Sequence, residues 1–281
     1  MAFEEITTLI PLALESGKIA LNYQDKLKLS FKPDRSVVTQ ADKEVEDLII
    51  RHVKALNPSY QVLGEETSGD QNKDFFFSAL NGTCFVVDPI DGTAPYSNRL
   101  PTWGVSIGVM EEGELTQGII YLAGLGEIFF TQGTESFMAK VSNPESDPVL
   151  GEKIPLLPAP KTLAPGQMIA LSQRIARRGT YELNYPFQMT GSTVFALAKM
   201  AQGCYGAYSA QLSLWDYAAG WPILKNLGYA LEFQNLAGEL PSLDKVLKGP
   251  GNTSPWNTRD TLIFAPPGII SDIRIGMNEN L

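Results

Sequence analysis

Apolar residues at helical spacing (Ile6, Leu9, Ile10, Ala13, Leu14 and Ala20) predict a helix over 6–23, with Pro11 tolerable if it lies in the first turn. A second helix is predicted over 41–55, with Val45, Leu48, Ile49 and Val53 along it. Thr39-Gln40-Ala41-Asp42 opens it as a capping-box-like signal. Apolar runs bounded by turn residues predict strands at 60–63, 84–88, 103–109, 118–122, 127–131 and 136–139. Ala123-Gly124-Leu125-Gly126 joins two of them as a hairpin turn. Pro144, Pro148, Pro155, Pro158, Pro160 and Pro165 argue against a regular element over 142–166 and mark a boundary between an α+β half, 1–150, and an α/β half, 151–281. The second half alternates: strand 167–171, helix 192–202, strand 206–209, helix 217–227, then strands 229–233 and 262–265 around a Gly/Pro/Asn-rich loop at 248–257. Alternating elements with covered faces predict an α/β layered fold.

Composition narrows the chemistry. The 281 residues are 44% apolar and carry a net charge of −9. That charge disfavours nucleic acid as a partner, because affinity for a phosphate backbone comes chiefly from Lys and Arg. No apolar run reaches the roughly 18 residues that span a bilayer. The acidic Met1-Ala2-Phe3-Glu4-Glu5 is unlike a secretory leader, so a cytoplasmic protein without a membrane partner is expected. Cys84 and Cys204 form no disulfide framework or zinc pattern and are expected to fill core space. The single histidine, His52, is expected on a helix surface. Its isolation disfavours phosphohistidine chemistry, metal sites of several imidazoles and Ser-His-Asp hydrolysis. Carboxylates and hydroxyls must carry the reaction.

The apolar run 85–87 leads into Asp88, placing a carboxylate at the carboxyl end of a strand, where α/β proteins bind ligands. Asp91 follows three residues later, near enough for a turn to bring both carboxylates to one point. Gly92 permits close backbone approach, and Thr93 opens a short helix suited to phosphate. Val62-Leu63-Gly64-Glu65-Glu66 repeats the strand–glycine–carboxylate order, and Trp215-Asp216 stands where a small-residue helix begins. Taken singly, each has an ordinary reading as a turn, a solvated face or a helix cap. Together, Glu65, Asp88, Asp91 and Asp216 are hard oxygen ligands suited to Mg²⁺ or Mn²⁺.

Glu65-Glu66, Asp88-Pro89-Ile90-Asp91-Gly92-Thr93 and Trp215-Asp216 with Ala218-Ala219-Gly220 resemble the inositol monophosphatase family of lithium-sensitive, magnesium-dependent sugar phosphatases. The resemblance runs from about Lys32 to the last strand. It implies a layered α-β-α-β-α fold of mixed sheets, a homodimer, and hydrolysis of a small phosphorylated metabolite with two or three Mg²⁺ ions. It implies that Glu65, Asp88 and the Ile90 carbonyl hold one metal, and that Asp88, Asp91 and Asp216 hold the second. Most ligands would then come from 1–150, with Asp216 and substrate contacts from 151–281. Val38-Thr39-Gln40-Ala41-Asp42 matches the family's Val-Thr-x-x-Asp motif, so Asp42 and Thr93 would orient the attacking water, with Glu66 completing the catalytic set. Gly92, Thr93, Gly191, Ser192, Ser209 and Asp216 would contact substrate.

Two departures bear on the substrate. Ser209 stands seven positions before Asp216, where inositol-selective members carry an acid, and Ala94-Pro95-Tyr96 replaces the usual Thr/Ser-Asn-Phe. Fructose-1,6-bisphosphate, histidinol phosphate and 3′-phosphoadenosine 5′-phosphate stand as alternatives. A haloacid-dehalogenase mechanism needs Asp-x-Asp, whereas the spacing here is three. A catalytically silent regulator remains the alternative from a different class. The polar, glycine-broken segment 68–82 is expected to form a mobile lid.

Overall fold

The computed structural model describes residues 3–24, 29–31, 37–70, 72–238 and 240–278. The first part of the chain forms α1 (Ile10–Gln24), β1 (Leu29–Phe31), β2 (Val37–Thr39), α2 (Gln40–Leu56), β3 (Gln61–Gly64), α3 (Lys73–Leu80), β4 (Thr83–Asp91) and α4 (Thr93–Ser97). A run of strands follows: β5 (Gly104–Glu111), β6 (Glu114–Leu122), β7 (Glu127–Gln132), β8 (Glu135–Ser142), β9 (Val149–Pro155) and β10 (Met168–Leu171). Next come α5 (Gln173–Arg178), β11 (Thr180–Tyr181), β12 (Phe187–Met189), α6 (Thr193–Ala201), β13 (Tyr205–Ala210), α7 (Leu214–Tyr217) and α8 (Gly220–Asn226). The chain closes with β14 (Ala230–Phe233), α9 (Leu243–Val246), β15 (Leu262–Ala265), α10 (Ile270–Gly276) and β16 (Met277–Asn278).

Strands β3 to β9 form one sheet in sequence order, parallel only between β3 and β4. A second sheet has the order β12-β10-β13-β15-β14, with β10 parallel to both neighbours and β15 antiparallel to both of its own. Alternation along single strands shows how the layers stack. On β4, Phe85 and Val87 face a core shared with α1 and α2, while Cys84 and Val86 face a core shared with α6 and α8. On β15, Leu262 and Phe264 join that same middle core, while Ile263 and Ala265 turn outward onto Ile270 and Ile273 of α10. The result is the expected α-β-α-β-α sandwich of two mixed sheets. Pro11 falls in the first turn of α1, as a helical proline must.

Several expectations are corrected. Val149–Pro155 within the proline-dense stretch forms β9, an edge strand exposed along its whole length and paired with β8, so the crossing between sheets runs through 156–167. The helix expected over 217–227 is two short ones, α7 and α8, parted at Ala218-Ala219. Cys84 is buried, but Cys204 is exposed. The segment expected as a lid holds α3, whose Phe76, Ala79 and Leu80 are core residues, with Phe76 against Trp256 at 4.6 Å between ring centroids. His52 lies at the surface, as expected.

Candidate metal centre

Strand β4 does not stop at Asp88; it continues through Pro89 and Ile90 to Asp91. In a regular strand, residues three apart face opposite sides. Here the pairing slips: Asp88 lies opposite Ser106 and Asp91 opposite Gly104, three steps on β4 against two on β5. That bulge turns both carboxylates to the same place, which a turn had been expected to do. Pro89, with no N–H to pair, sits inside the irregularity.

Asp91 also anchors a helix. Its Oδ2 accepts from the Val194 amide at 2.7 Å and from the Ser192 hydroxyl, whose oxygen in turn accepts from Phe195 N at 3.0 Å as N-cap of α6. Gly92 has φ 89°, and a Cβ there would lie 2.7 Å from that of Ser192, so the two loops touch at a point where only glycine fits. The Thr93 hydroxyl donates to the Ile90 carbonyl at 3.3 Å.

Asp216 arrives on α7 and accepts from Ser213 N at 2.7 Å, the first-turn role of an ordinary helix acid. The α7–α8 break sets its depth. A Cβ on Gly108 would come within 2.6 Å of Ala218 O, and one on Gly118 within 2.1 Å of Ala219 O. The junction therefore lies directly on the backbone of β5 and β6, in room that Gly108 and Gly118 leave by lacking a Cβ.

Carboxylate oxygens of Asp88, Asp91 and Asp216 lie within 4.8 Å of one another. Burial, then the charges of Glu65, Asp91, Asp216 and Asp42, holds the Asp88 acid well above the usual carboxylate range. Burial and the neighbouring Asp91 do the same to Asp216. Asp91 is pushed up to about 7, again chiefly by burial, with its hydrogen bonds to Ser192 and Val194 opposing. Crowded buried carboxylates are unfavourable unless a cation compensates them, and an all-oxygen set fits a hard divalent ion. Asp42, fully buried on α2, accepts from Thr39 N at 2.7 Å and Thr39 Oγ1 at 2.6 Å through Oδ2 alone; its Oδ1 has no partner, and burial raises it to about 7. Glu65 stands outside the 4.8 Å group, close enough for its charge to act on all three aspartates. The turn after it hangs on a residue that sequence reasoning passed over. Glu46 accepts from Glu66 N and Thr67 N, each at 2.9 Å. Its place four residues after Asp42, on the same helix face, was the available signal.

A cavity of about 670 Å³ opens beside the cluster, lined by Glu65, Glu66 and Asp216, by residues 250–257, and by Lys73 and Trp215 among others. Among the expected substrate contacts only Asp216 lines it. Gly92, Thr93, Gly191 and Ser192 gather instead at the starts of α4 and α6, and Ser209 is buried in β13 with its hydroxyl unpartnered. Asn72, Lys73 and the 250–257 wall carried no motif and were missed.

Among the described residues no helix is long and apolar enough to cross a membrane. The inositol monophosphatase family model matches residues 3–256. The inositol-1-monophosphatase of Bacillus subtilis is 30% identical over 76% of this chain and 79% of its own length. The histidinol-phosphatase of Chlorobaculum parvum is 28% identical over 78% and 82%. The structure of staphylococcal IMPase-II with inositol monophosphate bound superposes with a TM-score of 0.64 at 20% identity, covering 95% of this chain and 91% of that one. The fold, the carboxylate cluster and a family match over nearly the whole length lead to one assignment: the chain belongs to the inositol monophosphatase family and is a phosphomonoesterase.

Proposed function

We propose that the chain hydrolyses the monophosphate of a small sugar or polyol with Mg²⁺ held by Asp88, Asp91, Asp216, Glu65 and the Ile90 carbonyl. The observation that carries this reading is the cluster of three carboxylates within 4.8 Å beside a 670 Å³ cavity. A divalent ion bound there lowers the pKa of a coordinated water and offsets charge on the phosphoryl and leaving oxygens. The chain's own groups do the rest. Asp42 Oδ1, buried and unpartnered with its acid near 7, is suited to take a proton from the attacking water. Thr93 Oγ1 would orient that water, and the amides of Gly92 and Thr93 would bind phosphate. Glu66 would sit at the cavity edge of the same set. The family resemblance supports a homodimer and a cytoplasmic location.

Three features favour a leaving group larger than inositol. The cavity is of a size that encloses a drug-sized ligand, Lys73 gives it a cation, and Ser209 stands where inositol-selective members carry an acid. A second anionic group on the substrate, as in a sugar bisphosphate or a phosphorylated nucleotide, would meet Lys73. A phosphate-release screen across inositol, sugar, histidinol and nucleotide phosphates tests both readings. Release that requires Mg²⁺ and stops with EDTA is expected; equal release in EDTA, or none on any substrate, sinks the proposal.

A further inference from the structure

Glu46 is a buried carboxylate that the reaction above does not use, only 1% exposed and set one helical turn after Asp42 on α2. Its two oxygens divide their work, Oε2 taking the Glu66 amide and Oε1 the Thr67 amide, each at 2.9 Å. Residue 65 is fixed independently, its amide donating to Val87 O of β4 at 3.1 Å. A Cβ on Gly64 would lie 2.2 Å from the Glu46 carboxyl carbon, so the end of β3 is shaped around that group. Residues 64–67 are thus held from both sides: by β4 through the strand ladder, and by α2 through one bidentate carboxylate.

From this geometry we infer that Glu46 is a positioning residue, fixing the 65–67 turn so that Glu65 meets the metals in a preset orientation. The inference rests on the reading of Glu65 as a ligand. The physical argument has two steps. A carboxylate accepting two successive backbone N–H groups makes charge-assisted bonds, which are shorter and stronger than neutral ones. A helix side chain that spans two peptide units also constrains their relative rotation, which one bond to one amide does not. Without it the Glu65 side chain would sample orientations around a mobile turn, and ion binding would have to supply the ordering. Placing an anion beside a cluster of anions is costly. A neutral side chain would avoid that cost, but neither Gln nor Asn offers two equivalent acceptors.

The test compares Glu46→Gln with Glu65→Gln and the double variant. Glu46→Gln keeps one acceptor and turns an NH₂ toward the other amide. The half-saturating Mg²⁺ concentration should rise about tenfold or more, the usual penalty for losing a group that orients a metal ligand. kcat at saturating Mg²⁺ should fall much less. Titration of Mn²⁺ into each variant, followed by electron spin resonance, should give the same shift without turnover. In the metal-free protein, the Glu66 and Thr67 amides should exchange at least about tenfold faster, the equivalent of about 1.4 kcal/mol, while amides of β4 stay unchanged. On the Glu65→Gln background, Glu46→Gln should have little further effect on metal affinity. Faster exchange with unaltered metal affinity would reduce Glu46 to a structural anchor and overturn the inference, as would additive effects in the double variant. Should Glu65→Gln leave ion binding unchanged, the ligand reading fails; exchange at Glu66 and Thr67 reports the anchor separately. If Glu46→Gln does not fold, Glu46→Asp, shorter by one methylene and still charged, supplies the same comparison.

Discussion

Asp88→Asn separates stability from catalysis. In the metal-free protein, Asp88, Asp91 and Asp216 place oxygens within 4.8 Å. With an effective dielectric constant of about 20, two unit charges at that distance repel by about 3.5 kcal/mol. That is a few kcal/mol, part of which protonation already relieves, since the Asp88, Asp91 and Asp216 acids are all raised. Asparagine keeps Oδ1 to accept from Ile90 N, now at 3.1 Å, and removes the central charge. The variant at pH 8 in EDTA should therefore be more stable than wild type by about 1–3 kcal/mol, raising Tm by about 2–4 °C per kcal/mol for a chain of this size. In Mg²⁺ the order should reverse, because only the wild type gains binding energy on ion addition. Hydrolysis should fall at least about 10³-fold, the scale of several kcal/mol of lost metal-borne charge stabilisation. Differential scanning fluorimetry in EDTA and in Mg²⁺, with phosphate release alongside, measures all three. A variant less stable than wild type in EDTA would refute the reasoning, since Asp88 would then be held by compensating contacts rather than strained by like charges.

The same electrostatics sets a pH dependence. Asp42 and Asp91 have folded acids near 7 against 3.8 in an unfolded chain, so between these values the fold binds more protons than the unfolded state and loses stability as pH rises. Metal-free Tm should drop from pH 5 to pH 8 and Mg²⁺ should flatten that drop; a Tm that climbs over this range in EDTA contradicts the assignment. Gly118→Ala forces a methyl to within 2.1 Å of Ala219 O and should cost about 1–3 kcal/mol by overpacking, with weaker Mg²⁺ binding as Asp216 is lifted. Unchanged metal affinity in a folded Gly118→Ala protein would detach the helix break from the site. Lys73→Ala should raise KM for a doubly anionic substrate about two- to fivefold, the worth of an exposed charge pair, and leave a neutral polyol phosphate nearly unaffected. Equal effects on both substrates would exclude Lys73 from contact with a second anion.

The parts of the fold legible in the sequence are those where burial imposes a simple pattern. β4, β5 and β7 are covered on both faces and read as mainly apolar runs, and the Gly126 turn with φ 59° announces its hairpin. β9 was hidden because nothing buries it: Val149, Leu150 and Ile154 are all exposed, and only main-chain pairing with β8 makes it a strand. α3 was hidden because Phe75-Phe76-Phe77 reads as a cluster, while only Phe76 of the three is fully buried. In the site, the identities of the carboxylates were legible and their delivery was not. A strand bulge, where a turn was expected, brings Asp91 beside Asp88, and Ser192, expected on substrate, spends its hydroxyl on Asp91 and the α6 cap.

Asp91 faces two ways, and this reaches beyond the reaction. It belongs to the last residue pair between β4 and β5 in the seven-stranded sheet, yet it ties down the start of α6, which packs against β13 of the other sheet, while Asp216 rides on α7, also between the two. An ion seated among these residues would act as a rivet through the middle of the sandwich, joining layers far apart along the chain. Withdrawing it should loosen the joint as a whole, so that chelation broadens the melting transition as well as lowering its midpoint.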